Sequence, residues 1–567
     1  MAGPELLEHA AAALAGVAPL ERLRDLAHAL DRARAVLAGP DGRRWDALAF
    51  LDRATRQHPA RASELVDDYL ALAARCEPDV ASAPDDAFLT ALLEAPGVSA
   101  GRLRPLVARL LRQRLADAGA PWPDQRALRD ADRPLHALLR LGHVADPAIE
   151  AALTRLRAAA LGAMATPADA APAGPFLVSL AMHCFLTEYA FLVTDDEAAA
   201  LAGLEAAIAA AGPAPPAAAL ALAACYRSLD TLPGAPWPGL VVPDTLRPLW
   251  RQQIEEPALE RRLAAAIPSL TAISPASAHV RAMYEANPYP RWGRETFPAT
   301  AVPARDFVQA QLPGVDAEAV ADARPAVLVA GCGTGYAALQ WATTVAGCTV
   351  TAVDLSRASL GYAARRTAEL GVTNIAFRHG DILALGALGR RFGFIDAMGV
   401  LHHLADPMAG WRVLAGLLVP GGLMCVGLYS ALARRDVGAA RRHAAACAYR
   451  ADPAGIRALR RDALAERAPP ALRALRRFDD FYTLSGCRDL VFHVEEHAFT
   501  VARIGACLAE LDLAFLGFDA PDAVLAGFAA RWPDPAAALD LARWQEFETA
   551  HPDSFAQMYQ FWVQRPA

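Results

Sequence analysis

The segment VLVAGCGTGYAAL, residues 327–339, constrains the fold more than any other part of the sequence. An apolar run ends in three alternate glycines, Gly331, Gly333 and Gly335, and a second apolar run follows. We interpret this pattern as a buried strand, a tight turn and the beginning of a helix. In open α/β sheets such a turn lies at the carboxyl end of a strand, where nucleotides bind.

Short apolar runs alternate with amphipathic stretches from about residue 325 onward. The runs are AVLVAG, CTVTAVD, IAFRHGD, FIDAMGV and GLMCVGLY. Five strands separated by helices predict a parallel, doubly wound α/β sheet, placed here in a domain of residues 319–567.

The rest of the chain has a different pattern, and 567 residues allow several domains. Residues 1–268 predict an all-α domain, with leucines at helical spacing in segments such as 20–38. The apolar segment 176–197 is expected to be a core helix. Residues 269–318 are interpreted as a Pro-rich connector, and residues 431–500 as an insertion in the sheet domain.

Composition excludes several classes of protein. All 55 basic residues are arginine, so enzymes that need a lysine ammonium, such as pyridoxal-phosphate enzymes, phosphate-loop ATPases and protein kinases, are excluded. The net charge of −7 argues against general polyanion binding. Nine scattered cysteines indicate a reducing compartment. The acidic N-terminus is unlike a signal peptide, and the best membrane candidate, 206–225, contains three prolines. We therefore expect a cytoplasmic protein without a membrane partner.

The second strand ends in Asp354, nineteen residues after Gly335, where an acid can accept hydrogen bonds from ribose hydroxyls. Nicotinamide-binding turns have the spacing GxGxxG/A, in which the last small residue lets the helix pack over a pyrophosphate. Here the spacing is GxGxG, and Tyr336 occupies the place of that residue. This favours a nucleoside without phosphates.

With these motifs the chain resembles the class I S-adenosylmethionine-dependent methyltransferases. VLVAGCGTG is similar to their first motif, GDI (380–382) to the segment after their third strand, and FIDAMGVLHHLADP (394–407) to their fourth strand and its loop. LVPGGLMCVG (418–427) resembles their turn into strand five. LAFLGFD (513–519) and MYQFWVQ (558–564) are proposed as the terminal hairpin.

The resemblance implies S-adenosylmethionine as the cofactor, held by the glycine turn and a small set of further residues. These are Gly331, Gly333, Gly335, Asp354, Leu355, Asp381 and Ile382. The segment NPYPRW resembles one that precedes the methyltransferase domain in a bacterial group with a helical, repeat-like N-terminal region. Tyr289 and Arg291 in this segment are therefore candidates for a lid over the cofactor, although a rigid linker explains the segment as well.

The chain departs from the family pattern at one position. Many members carry an acid two residues before the first glycine, near the methionine amino group, and here that position is Val329. Another group must receive the ammonium, either a backbone carbonyl or Glu285.

The loop after strand four reads MGVLHHL, without the Asn/Asp-Pro-Pro-Tyr/Phe motif of members that methylate bases or glutamine. This favours the small-molecule branch. His402 and His403 are candidates for a general base, and a structural pair is an equal alternative. Tyr429 is a candidate for orienting the acceptor, with a packing role as its alternative.

The insertion carries two further signals. Residues 431–478 contain 12 Arg and 4 acids, which favours a solvated helical face and, as an alternative, an anionic acceptor. The acceptor is expected to be a small molecule or a peptide; RNA is disfavoured because aromatic residues are not interleaved with the arginines.

The second signal is HVEEH, residues 493–497, which fits the inverted zinc-protease motif. Its β-rich flanks argue against a helix, so we expect no metal and make a zinc hydrolase the remote alternative. Arg488, His493, Glu496 and His497 are instead expected to line the acceptor site.

These features predict a methyltransferase whose helical region and Arg-rich insertion select an acceptor, while residues 284–292 close the cofactor pocket. The competing hypothesis is a helical scaffold carrying a degenerate, non-catalytic cofactor domain. The sequence specifies neither the acceptor nor the oligomeric state.

Overall fold

The structure is a computed structural model. It describes residues 129–163, 174–293, 295, 297–298, 300–555 and 558–566, with eight isolated positions before residue 129. The chain divides into two compact units. One comprises Met1–Leu249 with Gly293–Thr296, and the other Trp250–Trp292 with Phe297–Ala567.

The described part of the first unit is helical, as the sequence predicts. Its longer helices are Arg133–Leu141, Pro147–Ala163, Pro175–Leu186, Asp195–Ala210 and Ala217–Ala223. Pro175–Leu186 lies in the predicted core segment, and nearly all its residues through Cys184 are buried. The segment 20–38 lies outside the described residues.

The second unit is built on a seven-stranded sheet. Its strands are β1 (Ala326–Ala330), β2 (Thr349–Asp354), β3 (Ile375–His379), β4 (Phe392–Ala397), β5 (Leu418–Tyr429), β6 (Ala514–Phe518) and β7 (Met558–Gln564). The strand order is β3-β2-β1-β4-β5-β7-β6. Strands β1 to β5 are parallel, and β7 pairs antiparallel with both β5 and β6. This confirms the predicted doubly wound sheet with its terminal hairpin.

Helices cover both faces of this sheet. The longer helices are Glu256–Ala266, Ala278–Ala286, Ala304–Gln311, Tyr336–Thr344, Arg357–Glu369, Pro407–Leu417, Arg435–Ala446, Pro453–Leu464, Leu484–Phe492, Val501–Leu511, Asp522–Arg531 and Leu541–Ala550. Two apolar cores result, one around Trp411 and Trp544 and the other around Val329 and Trp341. Both sheet faces are therefore buried, as a parallel sheet requires.

Local sequence explains the elements next to the strand ends. Asp406 begins the helix Pro407–Leu417 by accepting hydrogen bonds from the amides of Met408 and Ala409, and proline suits the first helical position. Gly335 begins the helix Tyr336–Thr344 with a φ of 89°, and an added Cβ would lie 2.6 Å from that of Ala363. Only glycine gives this backbone conformation and this close packing without strain.

The structure differs from the sequence interpretation in the connector and at the boundary between the units. The segment expected to be a Pro-rich connector contains the helices Ala278–Ala286 and Ala304–Gln311. The first unit ends at Leu249, earlier than the expected residue 268, because helix Glu256–Ala266 packs on helix Arg357–Glu369 of the sheet unit. Within the described residues, every helix is too short or too polar to cross a membrane.

Candidate functional site

A cavity of about 460 Å³ lies at the carboxyl ends of β1, β2 and β4, within the second unit. Its wall combines the glycine turn, the end of β2, the loop after β4 and parts of the insertion. This is the position and size expected for a small-molecule site in a doubly wound sheet.

The glycine turn lines the cavity through Gly331 and Gly333. Both have positive φ, and an added Cβ on Gly331 would lie 2.3 Å from Val400. The Gly333 amide donates a hydrogen bond of 2.8 Å to Asp354, whose other oxygen accepts from the Ser356 amide at 2.8 Å. Burial is the main cause that raises the Asp354 pKa to about 6. The predicted turn and acid therefore meet in one wall. Gly335 is not in that wall and serves helix packing.

Three further predicted cofactor residues, Leu355, Asp381 and Ile382, line the same cavity. The Asp381 carboxylate is occupied by backbone, since it accepts from the amides of Ser274 at 2.9 Å and Leu383 at 3.0 Å. Asp381 therefore ties the segment after β3 to the connector.

The segment NPYPRW crosses the glycine turn. The Tyr289 carbonyl lies 3.2 Å from the Cβ position of Gly333, and the Trp292 indole donates to the Thr334 carbonyl at 3.0 Å. Tyr289 lines the cavity, as expected of a lid residue, whereas Arg291 lies over the ring of Tyr362 outside it.

The two adjacent histidines have different surroundings. His403 lines the cavity, while His402 is fully buried behind it with its ring 3.8 Å from that of Tyr429. Nδ1 of His403 lies 2.9 Å from the Glu495 carbonyl, so we assign the ring proton to Nδ1. Its Nε2 has no hydrogen bond among the described residues. Burial is the main cause that lowers the His403 pKa to about 3, so the imidazole is neutral with a free lone pair on Nε2.

His493 stacks on His403 with ring centroids 3.7 Å apart. The Glu495 amide donates to Nδ1 of His493 at 3.0 Å, so its proton lies on Nε2, which faces Tyr284 and Asp489. The amide and carbonyl of Glu495 thus impose opposite tautomers on the two stacked rings.

His403, Asp489 and His493 are close enough together to suggest a metal site. In the assigned tautomers, however, Nε2 of His493 carries a hydrogen and cannot ligate a metal without losing it. HVEEH does not form a helical ligand pair either, because helix Leu484–Phe492 ends just before it. The expectation that the flank LVF argues against a helix was wrong, because residues 490–492 end a helix that Thr483 caps.

Two carboxylates of the insertion face the cavity beside three tyrosines. Asp489 is buried and accepts from Tyr284 at 2.7 Å and Tyr429 at 3.4 Å. Asp480 accepts from Tyr289 at 2.5 Å. Burial, the largest cause, raises the pKa of Tyr429 well above its usual range, so its hydroxyl remains a donor.

The four acceptor-site candidates of the insertion, His493 among them, bind within the protein and do not line the cavity. Glu496 pairs with Arg434 and Arg441 at 3.0 and 2.8 Å, His497 pairs with Glu495, and Arg488 donates to the Ala451 carbonyl. Several more arginines of the insertion bind its backbone carbonyls or carboxylates, including Arg460, Arg476 and Arg477. Among the described residues, the cavity wall contains no arginine.

Sequence reasoning missed Asp480 and Asp489. Their only sequence signal was their position after β5 among aromatic residues, and the spacing of Asp489 and His493 on one turn of a helix.

Comparison with known proteins agrees with this geometry. Residues 327–422 match the family model described as a methyltransferase domain. An uncharacterized protein of Synechococcus sp., syc1184_c, is 29% identical over 254 residues, which cover 43% of this chain and 60% of that protein. A ubiquinone biosynthesis O-methyltransferase of Caulobacter sp. is 40% identical over 114 residues, 19% of this chain and 44% of that enzyme.

The part of the sheet domain from β1 to the beginning of β5 is therefore similar to a methyltransferase domain. S-adenosylmethionine is the cofactor that the sequence resemblance implies. The chain spans 60% of the length of its Synechococcus relative and 44% of the length of the Caulobacter enzyme. The structure of PKMT2 from Rickettsia typhi in complex with AdoHcy is 17% identical and covers 49% of this chain and 54% of that chain, with a TM-score of 0.36.

The residues of the methyltransferase domain fit this cofactor. Each oxygen of Asp354 accepts one backbone amide and keeps a lone pair for a ribose hydroxyl. Gly331 and Gly333 leave room where side chains would collide with Val400 and Tyr289. In the part of the chain that the structure describes, the wall holds no phosphate-binding cation, which suits a nucleoside without phosphates.

Proposed function

We propose that this protein transfers a methyl group from S-adenosylmethionine to a small acceptor that presents a hydroxyl or an amine. The observation that carries the proposal is one cavity whose wall contains the glycine turn, Asp354 and the unpaired ring nitrogen of His403. S-adenosylmethionine, when bound, supplies a methyl group on a positively charged sulfur.

His403 is the base in this proposal. Its Nε2 accepts the acceptor's proton, while the acceptor atom's electron pair forms the new bond to the methyl carbon and the carbon–sulfur bond breaks in line. The Glu495 carbonyl holds the Nδ1 hydrogen, so the ring presents Nε2 to the cavity. His402 is fully buried behind the cavity and acts through packing.

The polarity of the wall indicates the class of acceptor. Tyr284 and Tyr429 donate their hydrogens to Asp489, so these three side chains offer the acceptor lone pairs. A hydroxyl or an amine satisfies them by donating. A carboxylate or phosphate at this end would face acceptors and negative charge without an arginine. The arginines of the insertion are better explained by their hydrogen bonds and ion pairs within the protein than as a binding site for an anion.

Methyl transfer from tritiated S-adenosylmethionine tests this function. The full chain is incubated with the small-molecule fraction of a soluble cell extract, separated beforehand by ion exchange into cationic, neutral and anionic pools. We expect label to enter a compound of the cationic or neutral pool, and Asp354→Ala to abolish this. Label in the anionic pool alone would contradict the acceptor class. Absence of transfer in every pool, or equal transfer by Asp354→Ala, would contradict the proposed function.

We also propose that the helical region contributes to choosing the acceptor. Among the described residues, all those that line the cavity belong to the second unit. Helical arrays offer long outer surfaces for recognition, which supports this role.

A further inference from the structure

Four carboxylates face the cavity, and two of them are already assigned. Asp354 is placed to hold the ribose, and both oxygens of Asp381 accept backbone amides. Asp480 and Asp489 remain. They come from the insertion, which the sequence analysis connected only with the acceptor.

These two carboxylates differ in how many of their oxygens accept hydrogen bonds from the protein. Asp489 is 3% exposed, and each of its oxygens accepts from a tyrosine hydroxyl. Asp480 is half-buried, and only one of its oxygens accepts, from Tyr289. Among the described residues, no hydrogen bond reaches its other oxygen. Asp480 therefore retains an oxygen for a ligand.

Asp480 is connected to the glycine turn through one residue. The backbone of Tyr289 rests on Gly333, and the hydroxyl of the same residue reaches Asp480. The carboxylate is thus one tyrosine side chain away from the turn. Two other side chains are unsuitable for binding an ammonium group near the turn. Val329 is buried and apolar, and Glu285 lies outside the cavity wall and binds Ser356 and the Ala358 amide.

We propose that Asp480 binds the α-ammonium group of S-adenosylmethionine, in place of the acid that many class I methyltransferases carry at the position of Val329. The inference rests on the proposed function, because it concerns the cofactor of that reaction. Tyr289 is a positioning residue that holds the carboxylate toward the turn.

The charge of the wall supports this assignment. A carboxylate that is half-buried is unfavourable unless a cation or donors compensate for it, and no arginine lines the cavity among the described residues. Burial is the largest of the causes that raise the Asp480 pKa to about 6. An ammonium group in contact with this oxygen would provide the missing positive charge.

Calorimetric titration with two ligands tests the proposal. S-adenosylhomocysteine carries the ammonium group, whereas 5′-methylthioadenosine has the same nucleoside without the amino-acid arm. Asp480→Asn in the full chain should weaken the binding of S-adenosylhomocysteine at least about tenfold, because a charge-assisted contact is lost. It should change the affinity for 5′-methylthioadenosine less than about twofold, as expected when only the contact to the arm is removed. Asp479→Asn, which alters the exposed neighbouring acid, is the matched control and should change neither.

The remaining outcomes separate the competing accounts. Equal weakening of both ligands would mean that Asp480 supports the cavity generally, which overturns the proposal. No change for either ligand, or a selective loss in Asp489→Asn instead, would overturn it as well. If the unmodified chain bound neither ligand, the proposed function itself would fail.

Discussion

At the scale of single residues, the two adjacent histidines give the clearest test of catalysis. His403→Gln removes the Nε2 lone pair that faces the cavity, so methyl transfer to the extract acceptor should fall about 10²–10⁴-fold, the usual contribution of a general base. Affinity for S-adenosylhomocysteine should stay within about twofold. His497→Gln is the control, because His497 pairs with Glu495 away from the cavity wall. Unchanged transfer by His403→Gln would eliminate His403 as the base.

Asp354 predicts the pH dependence of nucleoside binding. Its pKa, raised to about 6, means that the carboxylate that accepts ribose hydroxyls is present above pH 6 and is lost as pH falls through this value. Affinity for 5′-methylthioadenosine should therefore be level from pH 7 to 8. It should fall toward tenfold per pH unit below pH 6, the slope for one proton.

Asp480 also has a pKa raised to about 6, but 5′-methylthioadenosine lacks the amino-acid arm that we propose Asp480 binds, so the affinity for this ligand reports on Asp354. The pKa values of His403 and His493 are lowered to about 3, chiefly by burial, so neither ring titrates between pH 5 and 8. Calorimetric titration across this range is the measurement, with Asp354→Asn as the control that should show no such slope. A level affinity in the unmodified protein would exclude Asp354 as the ribose ligand.

Residues of the site could be predicted from the sequence where their role depends on neighbouring residues in the chain. Gly331, Gly333 and Asp354 lie at strand ends, so the pattern of strands located them. Asp480 and Asp489 reach the cavity because a distant helical insertion folds back over the strand ends. No local periodicity encodes that placement.

At the scale of elements, Arg365 joins two helices of the second unit. Its guanidinium is 5% exposed and pairs with Glu256 at 3.4 Å, Glu260 at 2.8 Å and Glu369 at 2.8 Å. Arg365→Ala would leave three partly buried carboxylates together. We expect it to lower the free energy of unfolding by about 2–3 kcal/mol, less than for a fully buried pair because the glutamates retain some exposure.

The measurement is the calorimetric transition that S-adenosylhomocysteine shifts, since that transition belongs to the cofactor-binding unit. Arg412→Ala provides a matched control, because the Arg412–Glu510 pair is exposed on both sides and should contribute at most about 1 kcal/mol. If Arg365→Ala lowered the free energy of unfolding no more than Arg412→Ala does, the stabilising role of the Arg365 ion pairs would be contradicted.

Secondary-structure elements could be predicted from the sequence where a single pattern of apolar residues dominated the segment. The apolar runs of β1 to β5 and the terminal hairpin follow the sequence because buried strands need continuous or alternating apolar residues. A helix was not expected before His493, since Leu490, Val491 and Phe492 favour β structure locally. In the fold Thr483 begins a helix there, and burial of that helix overrides the local preference.

At the scale of the whole molecule, the division of labour between the two units can be tested by truncation. A fragment of residues 250–567 retains the helix Glu256–Ala266 and all the described residues that line the cavity. It should bind S-adenosylmethionine as the full chain does, but transfer methyl to the extract acceptor more slowly. Full transfer by the fragment would make the helical region a separate functional unit. Loss of cofactor binding would mean that this region supports the fold of the catalytic unit.

The central claim is that the cavity at the ends of β1 and β2 binds S-adenosylmethionine through the glycine turn and Asp354. Calorimetric titration of the full chain with S-adenosylmethionine tests it most directly, using Gly333→Arg, Asp354→Ala and Gly371→Arg. Gly371 also has a positive φ, of 68°, but lies in open space away from the cavity, so it controls for backbone strain. We predict binding at one site per chain, severe weakening by Gly333→Arg and Asp354→Ala, and little change in Gly371→Arg. Unchanged affinity in both cavity variants would contradict the claim.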